Sequence, residues 1–302
     1  MISIALDQST SATKALLVDE SGGVLASASR SHKQGYPQAG WVEHDAEEIW
    51  QNTIAALAEL LGSWRGEPPS FLSITNQRET TVIFEKGSGK PICPAIVWQC
   101  LRSSEICREI QERDQDGFVE KTTGLKLNPY FSGSKLTWIV QNDLAAAEQL
   151  FSGHAVFGTI DSYLIHRFTD GRVHATDPTN ASRTLLMDLE AQQWSQQMAD
   201  LFRVSVDWLP EIRACDAVFG QTTLGGLLQK EIPICGVIGD AQAALLSQKC
   251  LEMGQAKATL GTGTFLLVQA GEAVPPVGSP LLSSVAWKLH SKTSYCLEGL
   301  AY

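Results

Sequence analysis

The sequence predicts an α/β protein built on a mixed sheet with flanking helices. Three observations carry that expectation. The chain opens with three short apolar strands in a meander, a helix with its own start signal follows, and strand and helix patterns then alternate along the 302 residues. At 44% hydrophobic and 19% charged residues, the chain holds enough apolar material for a sizeable core. At roughly 150 residues per domain, the length alone reads as about two domains.

Residues 1–6 read as the first strand, and Ala12–Asp19 and Val24–Ser31 as the next two, with Gly22-Gly23 turning the chain between them. Asp45 then caps a helix, with Glu48 three residues on and an apolar stripe of Ile49, Ile54, Leu57, Leu60 and Leu61 ending at Gly62. Residues 71–75 read as a buried strand. Residues 80–85 and 89–98 read as a hairpin around Gly87-Ser88-Gly89. Helices are expected over 102–113 and 136–150, whereas 156–168 fits strand and helix alike. A strand over 234–238 leads through Gly239-Asp240 into a helix over 241–249. Ala256–Leu260 and residues 265–269 flank Gly261-Thr262-Gly263-Thr264, and 285–290 with 293–297 form a last hairpin. No internal repeat and no low-complexity tract interrupts this order.

Composition narrows the function. With 23 Lys+Arg against 33 Asp+Glu, the net charge of -10 argues against nucleic acid as a partner. A local site for a small phosphate ligand stays open. No apolar run approaches the ~18 residues of a membrane-spanning helix. The N-terminus lacks a basic region, and Asp7 cuts its apolar run short, unlike a signal peptide. Seven scattered cysteines do not read as a disulfide framework, so a cytoplasmic location is expected. Cys93, Cys100 and Cys107 recur every seven residues, which matches packing better than zinc binding.

Four motifs could carry chemistry, each with a plainer reading. Asp7-Gln8-Ser9-Thr10-Ser11 places an acid and hydroxyls where a metal-bound nucleotide could sit, with Lys14 adding charge; an ordinary hairpin turn uses the same residues. Gly261-Thr262-Gly263-Thr264-Phe265 offers close backbone approach and hydroxyls for phosphate, or simply a good hairpin. Two such hairpins could clamp a nucleotide from opposite sides. Asn76-Gln77-Arg78-Glu79-Thr80-Thr81 supplies donors and acceptors for a polyol, or a solvated loop with an exposed ion pair. Asp240 stands at a strand end, where α/β folds place ligand chemistry, but Asp is also a common helix cap. The six histidines form no metal constellation, and no Walker A or GxGxxG loop is present.

Taken in order, several segments resemble glycerol kinases, a branch of the FGGY carbohydrate kinase family. They are Asp7-Gln8-Ser9-Thr10-Ser11, Gly40-Trp41-Val42-Glu43-His44-Asp45, Asn76 to Thr81, Trp98-Gln99-Cys100, Asn128-Pro129-Tyr130-Phe131-Ser132, Thr179-Asn180-Ala181-Ser182-Arg183-Thr184 and Gly239-Asp240. The resemblance implies an actin-like ATPase fold of the ribonuclease-H type, duplicated around a cleft. It implies ATP and Mg2+ as cofactors and a small polyol, glycerol, as substrate. By position, Arg78, Glu79, Tyr130 and Asp240 match the residues that hydrogen-bond glycerol. Asp240 also matches the catalytic base, and Trp98 and Phe265 match the apolar walls. Thr10, Ser11 and Lys14 match one phosphate loop and Thr262 the other, while Asp7 is expected to position Mg2+ through water.

The sequence also departs from the family pattern. Ser9 replaces a glycine, which is tolerable if its φ stays negative. Ala241 replaces a glutamine whose amide meets a terminal hydroxyl, so another small polyol or a ketose is an alternative substrate. Residues 225–230 lack the pattern that binds fructose bisphosphate in some bacterial members. The family's second domain is far longer than the stretch after residue 254 here. The resemblance therefore implies domains over 1–254 (polyol side) and 255–302 (the start of the nucleotide side). It further implies a truncated chain that is catalytically inactive alone and binds polyol only. Nothing in the pattern fixes oligomeric state, and a homo-oligomer fits as well as a monomer.

Overall fold

The computed structural model describes residues 1–114, 116–260 and 264–301, with no side-chain account of Thr264, Leu300 and Ala301. In chain order the main elements are β1 (Ile2–Gln8), β2 (Ala12–Asp19), β3 (Val24–Ser31), α1 (Ala46–Ser63), β4 (Leu72–Asn76), α2 (Ile160–Phe168), β5 (Val218–Thr222), β6 (Ile232–Gly239) and α3 (Asp240–Ser247). Four further strands complete the chain: β7 (Ala256–Leu260), β8 (Thr264–Gly271), β9 (Leu282–Leu289) and β10 (Lys292–Ala301).

Six strands form the main sheet in the order β5-β6-β4-β1-β2-β3. The opening meander is antiparallel, while β1, β4 and β6 run parallel. Strand alternation aligns Ile4 with Leu72 and Leu6 with Ile74 on one face. Those four side chains are essentially inaccessible to water. On that face α1 covers β2 and β3, and α2 covers β4 and β5. Asp45 starts α1 by accepting the Glu47 and Glu48 amides. Ile49, Leu57 and Leu60 then bury completely in the shared core. Truncating such a leucine to alanine costs about 2–5 kcal/mol.

The parallel register brings three strand ends to one edge. Asp7 pairs with Thr75, Gln8 with Asn76, and Asn76 with Gly239. Side chains just beyond those ends meet in one place, as ligand residues do in open α/β sheets. The second sheet, β7-β8-β10-β9, is antiparallel throughout. Leu267, Ala286 and Cys296 from it bury against Leu245 of α3. Its edge strand β7 is largely exposed, with Leu260 80% accessible.

Three sequence expectations need correction. Residues 80–98 do return antiparallel around Gly87-Ser88-Gly89, with Thr81 bridging Ile96 and Phe84 bridging Pro91, but not as two long strands. On its other side Val82–Glu85 pairs with Ala155–Gly158, and the short strand Ala95–Ile96 pairs with Glu43–His44. Pro91 and Pro94 lack the amide a long return strand needs. Residues 136–150 belong to two helices, Ser132–Asn142 and Leu144–Phe151. The chain is extended at Asp143, whose carboxylate caps the second by accepting the Ala146 amide. Finally, Asp7 and Gln8 lie inside β1 rather than in the turn. The 156–168 stretch divides into the Ala155–Gly158 strand and α2. Among the described residues, no helix is long and apolar enough to cross a membrane.

Candidate functional site

The segment after β4 is folded inward, against the reading of a solvated loop. Asn76, Gln77, Arg78, Glu79, Thr80 and Thr81 are all at most 4% exposed. Each of the six side chains finds at least one polar partner. The Gln77 amide nitrogen donates to Gln8 Oε1 at 3.2 Å, and Thr80 Oγ1 donates to Gln77 Oε1 at 2.8 Å. Asn76 and Asn180 exchange two amide hydrogen bonds at 3.0 and 3.1 Å. Glu79 has φ 61°, a left-handed conformation that costs a non-glycine residue free energy and that packing here enforces. Gly239 explains how Arg78 fits. A Cβ at residue 239 would stand 2.7 Å from Arg78 Cδ.

The charges form a closed alternation. Arg78 Nη1 donates to Glu298 Oε1 at 2.8 Å and to Gln242 Oε1 at 3.1 Å. Arg78 Nε lies 3.5 Å from Asp240 Oδ1 and 3.9 Å from Glu79 Oε1. Arg183 Nε donates to Glu79 Oε1 at 2.7 Å, and its Nη1 stands 3.3 Å from Glu298 Oε2. Burial pushes the Glu298 carboxyl up, but Arg183 and Arg78 outweigh it and hold the pKa at about 2. Sequence reasoning assigns no role to Arg183, Glu298 or Gln242. The available signal was a lone carboxylate inside an apolar strand, which needs a buried cation.

Asp240 is the first residue of α3 and not its cap. Gly239 takes the cap position, and Thr179 Oγ1 accepts the Gly239 amide at 2.8 Å. The Asp240 side chain is 44% exposed and opens into a cleft. Withdrawal from water raises its pKa, with Arg78 pulling the other way. A raised carboxylate pKa makes a better proton acceptor near neutral pH.

The cleft contains a cavity of about 340 Å³ lined by Thr10, Arg78, Glu79, Trp98, Tyr130, Asp240, Ala241, Ala244, Lys257, Thr259 and Phe265. Trp98 donates its indole N–H to Thr10 Oγ1 at 2.9 Å. The Trp98 ring packs edgewise on Phe265 and lies 5.4 Å from Tyr130 between centroids. Tyr130 is held by buried Lys135, which donates to the Pro129 and Tyr130 carbonyls. Burial also pushes the Tyr130 hydroxyl pKa far up, keeping it a neutral donor. The cavity thus gathers seven of the sequence candidates: Thr10, Arg78, Glu79, Trp98, Tyr130, Asp240 and Phe265. Ser11 and Lys14 are exposed and outside it. Lys14 pairs in register with Asp7 and lowers its carboxyl pKa, against the larger rise from burial. Ser9 keeps a negative φ. Thr262 lies outside the described residues.

A mixed sheet whose parallel strands converge on one acid-lined cleft defines the actin-like ATPase class, of the ribonuclease-H type. The model for "FGGY family of carbohydrate kinases, N-terminal domain" matches residues 2–247. The chain belongs to that family. It is 45% identical over 301 residues to glycerol kinase 1 of Thermotoga maritima, covering 99% of this chain and 61% of the relative. It is 43% identical over 301 residues to glycerol kinase 2 of Pseudomonas aeruginosa, covering 99% and 60%. The crystal structure of Plasmodium falciparum glycerol kinase with ADP superposes with a TM-score of 0.94 at 36% identity, covering 99% of this chain and 60% of that one. A ligand-bound xylulose kinase from Lactobacillus acidophilus shares the fold, with a TM-score of 0.87 at 20% identity over 99% of this chain and 59% of that one. The chain spans about 60% of the length of the curated relatives it matches.

Proposed function

We propose that this chain forms the polyol-side part of an ATP-dependent glycerol kinase, which converts glycerol to glycerol 3-phosphate. The observation that carries the reading is the cavity uniting Asp240, Arg78, Glu79 and Tyr130 beneath Trp98 and Phe265. Its volume of about 340 Å³ sits at the small end of ligand pockets, suited to a short polyol. Ionised Glu79 accepts and Arg78 donates, so the pair orients neighbouring hydroxyls. Asp240 takes the proton from the attacking hydroxyl. That oxygen bonds to the γ-phosphorus of ATP as the bond to the ADP oxygen breaks. Such transfer relies on positioning and charge neutralisation.

The nucleotide contacts fall to Thr10, Ser11 and Lys14, with Thr262 in the facing hairpin. Asp7 carries no hydrogen-bond partner on its carboxylate among the described residues, and its field reaches Asp240. A free carboxylate at a strand end suits Mg2+, which keeps most of its waters and takes one or two protein carboxylates. When bound, the ion would neutralise phosphoryl oxygens. In this reading residues 1–254 form the polyol-side domain and 255–302 the opening of the nucleotide-side domain. The match over 2–247 supports that division. We place the protein in the cytoplasm, in keeping with seven cysteines that are all free thiols.

Calorimetric titration of the chain with glycerol tests the reading. Binding is expected, and Glu79→Gln should weaken it about tenfold or more, because a hydrogen bond to a charged group is lost. Absence of binding to glycerol and to every other small polyol or ketose would overturn it. A second reading, a larger polyol, rests on Ala241 and Ala244, whose small side chains line the same cavity. Tighter binding of erythritol or a pentulose than of glycerol would establish that alternative.

A further inference from the structure

The cavity's charge balance singles out one cation with no assigned task. Its lining carries two basic groups, Arg78 and Lys257. Arg78 is committed to Glu298 and Gln242 and flanked by Asp240 and Glu79. Lys257 is half-buried on β7 and has no side-chain hydrogen bond or ion pair among the described residues. Alternation along β7 puts Lys257 and Thr259 on one face, and both line the cavity beside Ala241 and Ala244. Of the carboxylates near Lys257, Asp240 acts on it most strongly. An unengaged ammonium thus stands at the end of the cavity where the candidate base lies.

A neutral polyol gives such a cation little to do. A phosphorylated polyol carries about -1.5 to -2 charge at pH 7 and must settle near the carboxylates of Asp240 and Glu79. We propose that Lys257 binds the phosphoryl group of the polyol phosphate, receiving it from the side of Asp240. This assignment rests on the polyol kinase reading above. A compact ammonium on a flexible stem suits a phosphate whose position shifts during transfer.

The test compares glycerol with glycerol 3-phosphate by calorimetry on the chain, using Lys257→Met and Lys257→Arg. Lys257→Met should weaken glycerol 3-phosphate about tenfold or more, while glycerol affinity stays within about twofold. Lys257→Arg should restore most of the phosphate affinity, which also shows that the strand tolerates change there. Equal weakening of both ligands would mean that Lys257 only screens Asp240, and the proposal fails. Unchanged phosphate affinity in Lys257→Met overturns it as well. So does an unsubstituted chain that binds glycerol but not glycerol 3-phosphate. If the unsubstituted chain binds neither ligand, the polyol reading itself falls, an outcome visible before any variant is made.

Discussion

Two clusters of buried acids in this molecule solve the same problem in opposite ways. At the cleft, Glu79 and Glu298 alternate with Arg78 and Arg183. In the first turn of α2 and at the cap of the short helix Pro178–Ala181, Asp161 and Asp177 have no salt bridge among the described residues. Asp161 accepts from the Thr159 and Thr176 hydroxyls at 2.6 Å each. Asp177 accepts from Thr179, Asn180 and the Cys215 thiol. The outcomes diverge. Arginines overcome burial and hold Glu298 at about 2. Burial, followed by the field of Asp177, pushes Asp161 up to about 7 despite its hydroxyl partners. At Asp161 the neutral donors do not offset burial as the two arginines do at Glu298.

Glu298 and Asp161 therefore respond to pH with opposite signs, whereas Glu79, where burial outweighs Arg78 and Arg183, is pushed up in the same direction as Asp161. Glu298 has a folded pKa below the ordinary 4.5, so its stabilisation is complete above pH 4.5 and is lost as pH falls toward 2. Asp161 has a folded pKa above the ordinary 3.8, so its contribution is complete below pH 3.8 and is lost as pH rises through 7.

The sharpest way to break the contrast is Glu298→Gln. It leaves two buried arginines with Glu79 between them and, for Arg78, only the half-exposed Asp240 besides, and should cost about 3–5 kcal/mol in urea unfolding. Glycerol affinity should fall with it, since Arg78 loses its anchor. Gly239→Ala should cost less, about 1–3 kcal/mol, because the added methyl strikes the Arg78 stem while the ion pairs survive. Asp161→Asn should have the smallest effect, about 1 kcal/mol or less at pH 5, since one neutral acceptor replaces another. Its informative readout is the slope. Between pH 5 and 8.5, the stability of the unsubstituted chain relative to Asp161→Asn should decline. A flat difference would show that Asp161 keeps its charge at neutral pH.

This contrast also marks what the sequence can reveal. The opening meander, α1 and β6 were legible because each carries a local signal: Gly22-Gly23, the Asp45 cap, an apolar run ending in glycine. Arg78, Glu79 and Asp240 were legible as candidates because they sit at strand ends. Their partners were not. Glu298 is 220 residues from Arg78, and no local pattern joins residues that meet only through tertiary packing. The lengths of the elements in the 80–98 and 136–150 stretches misled for a related reason. Their apolar periodicity continued across Pro94 and Asp143, where the backbone turned. The orientation of the loop after β4 likewise came from buried partners such as Gln8 and Asn180, which composition does not show.

Glu298 has a practical consequence for recombining members of this family. The carboxylate that holds the arginines Arg78 and Arg183 belongs to β10, 51 residues beyond the end of the matched N-terminal segment. A chimera joined at that boundary would inherit two buried cations from one parent and their counter-ion from another. Crossover points for hybrid kinases should therefore follow the charge alternation rather than the sequence boundary, with residues 78, 79, 183 and 298 exchanged as one unit.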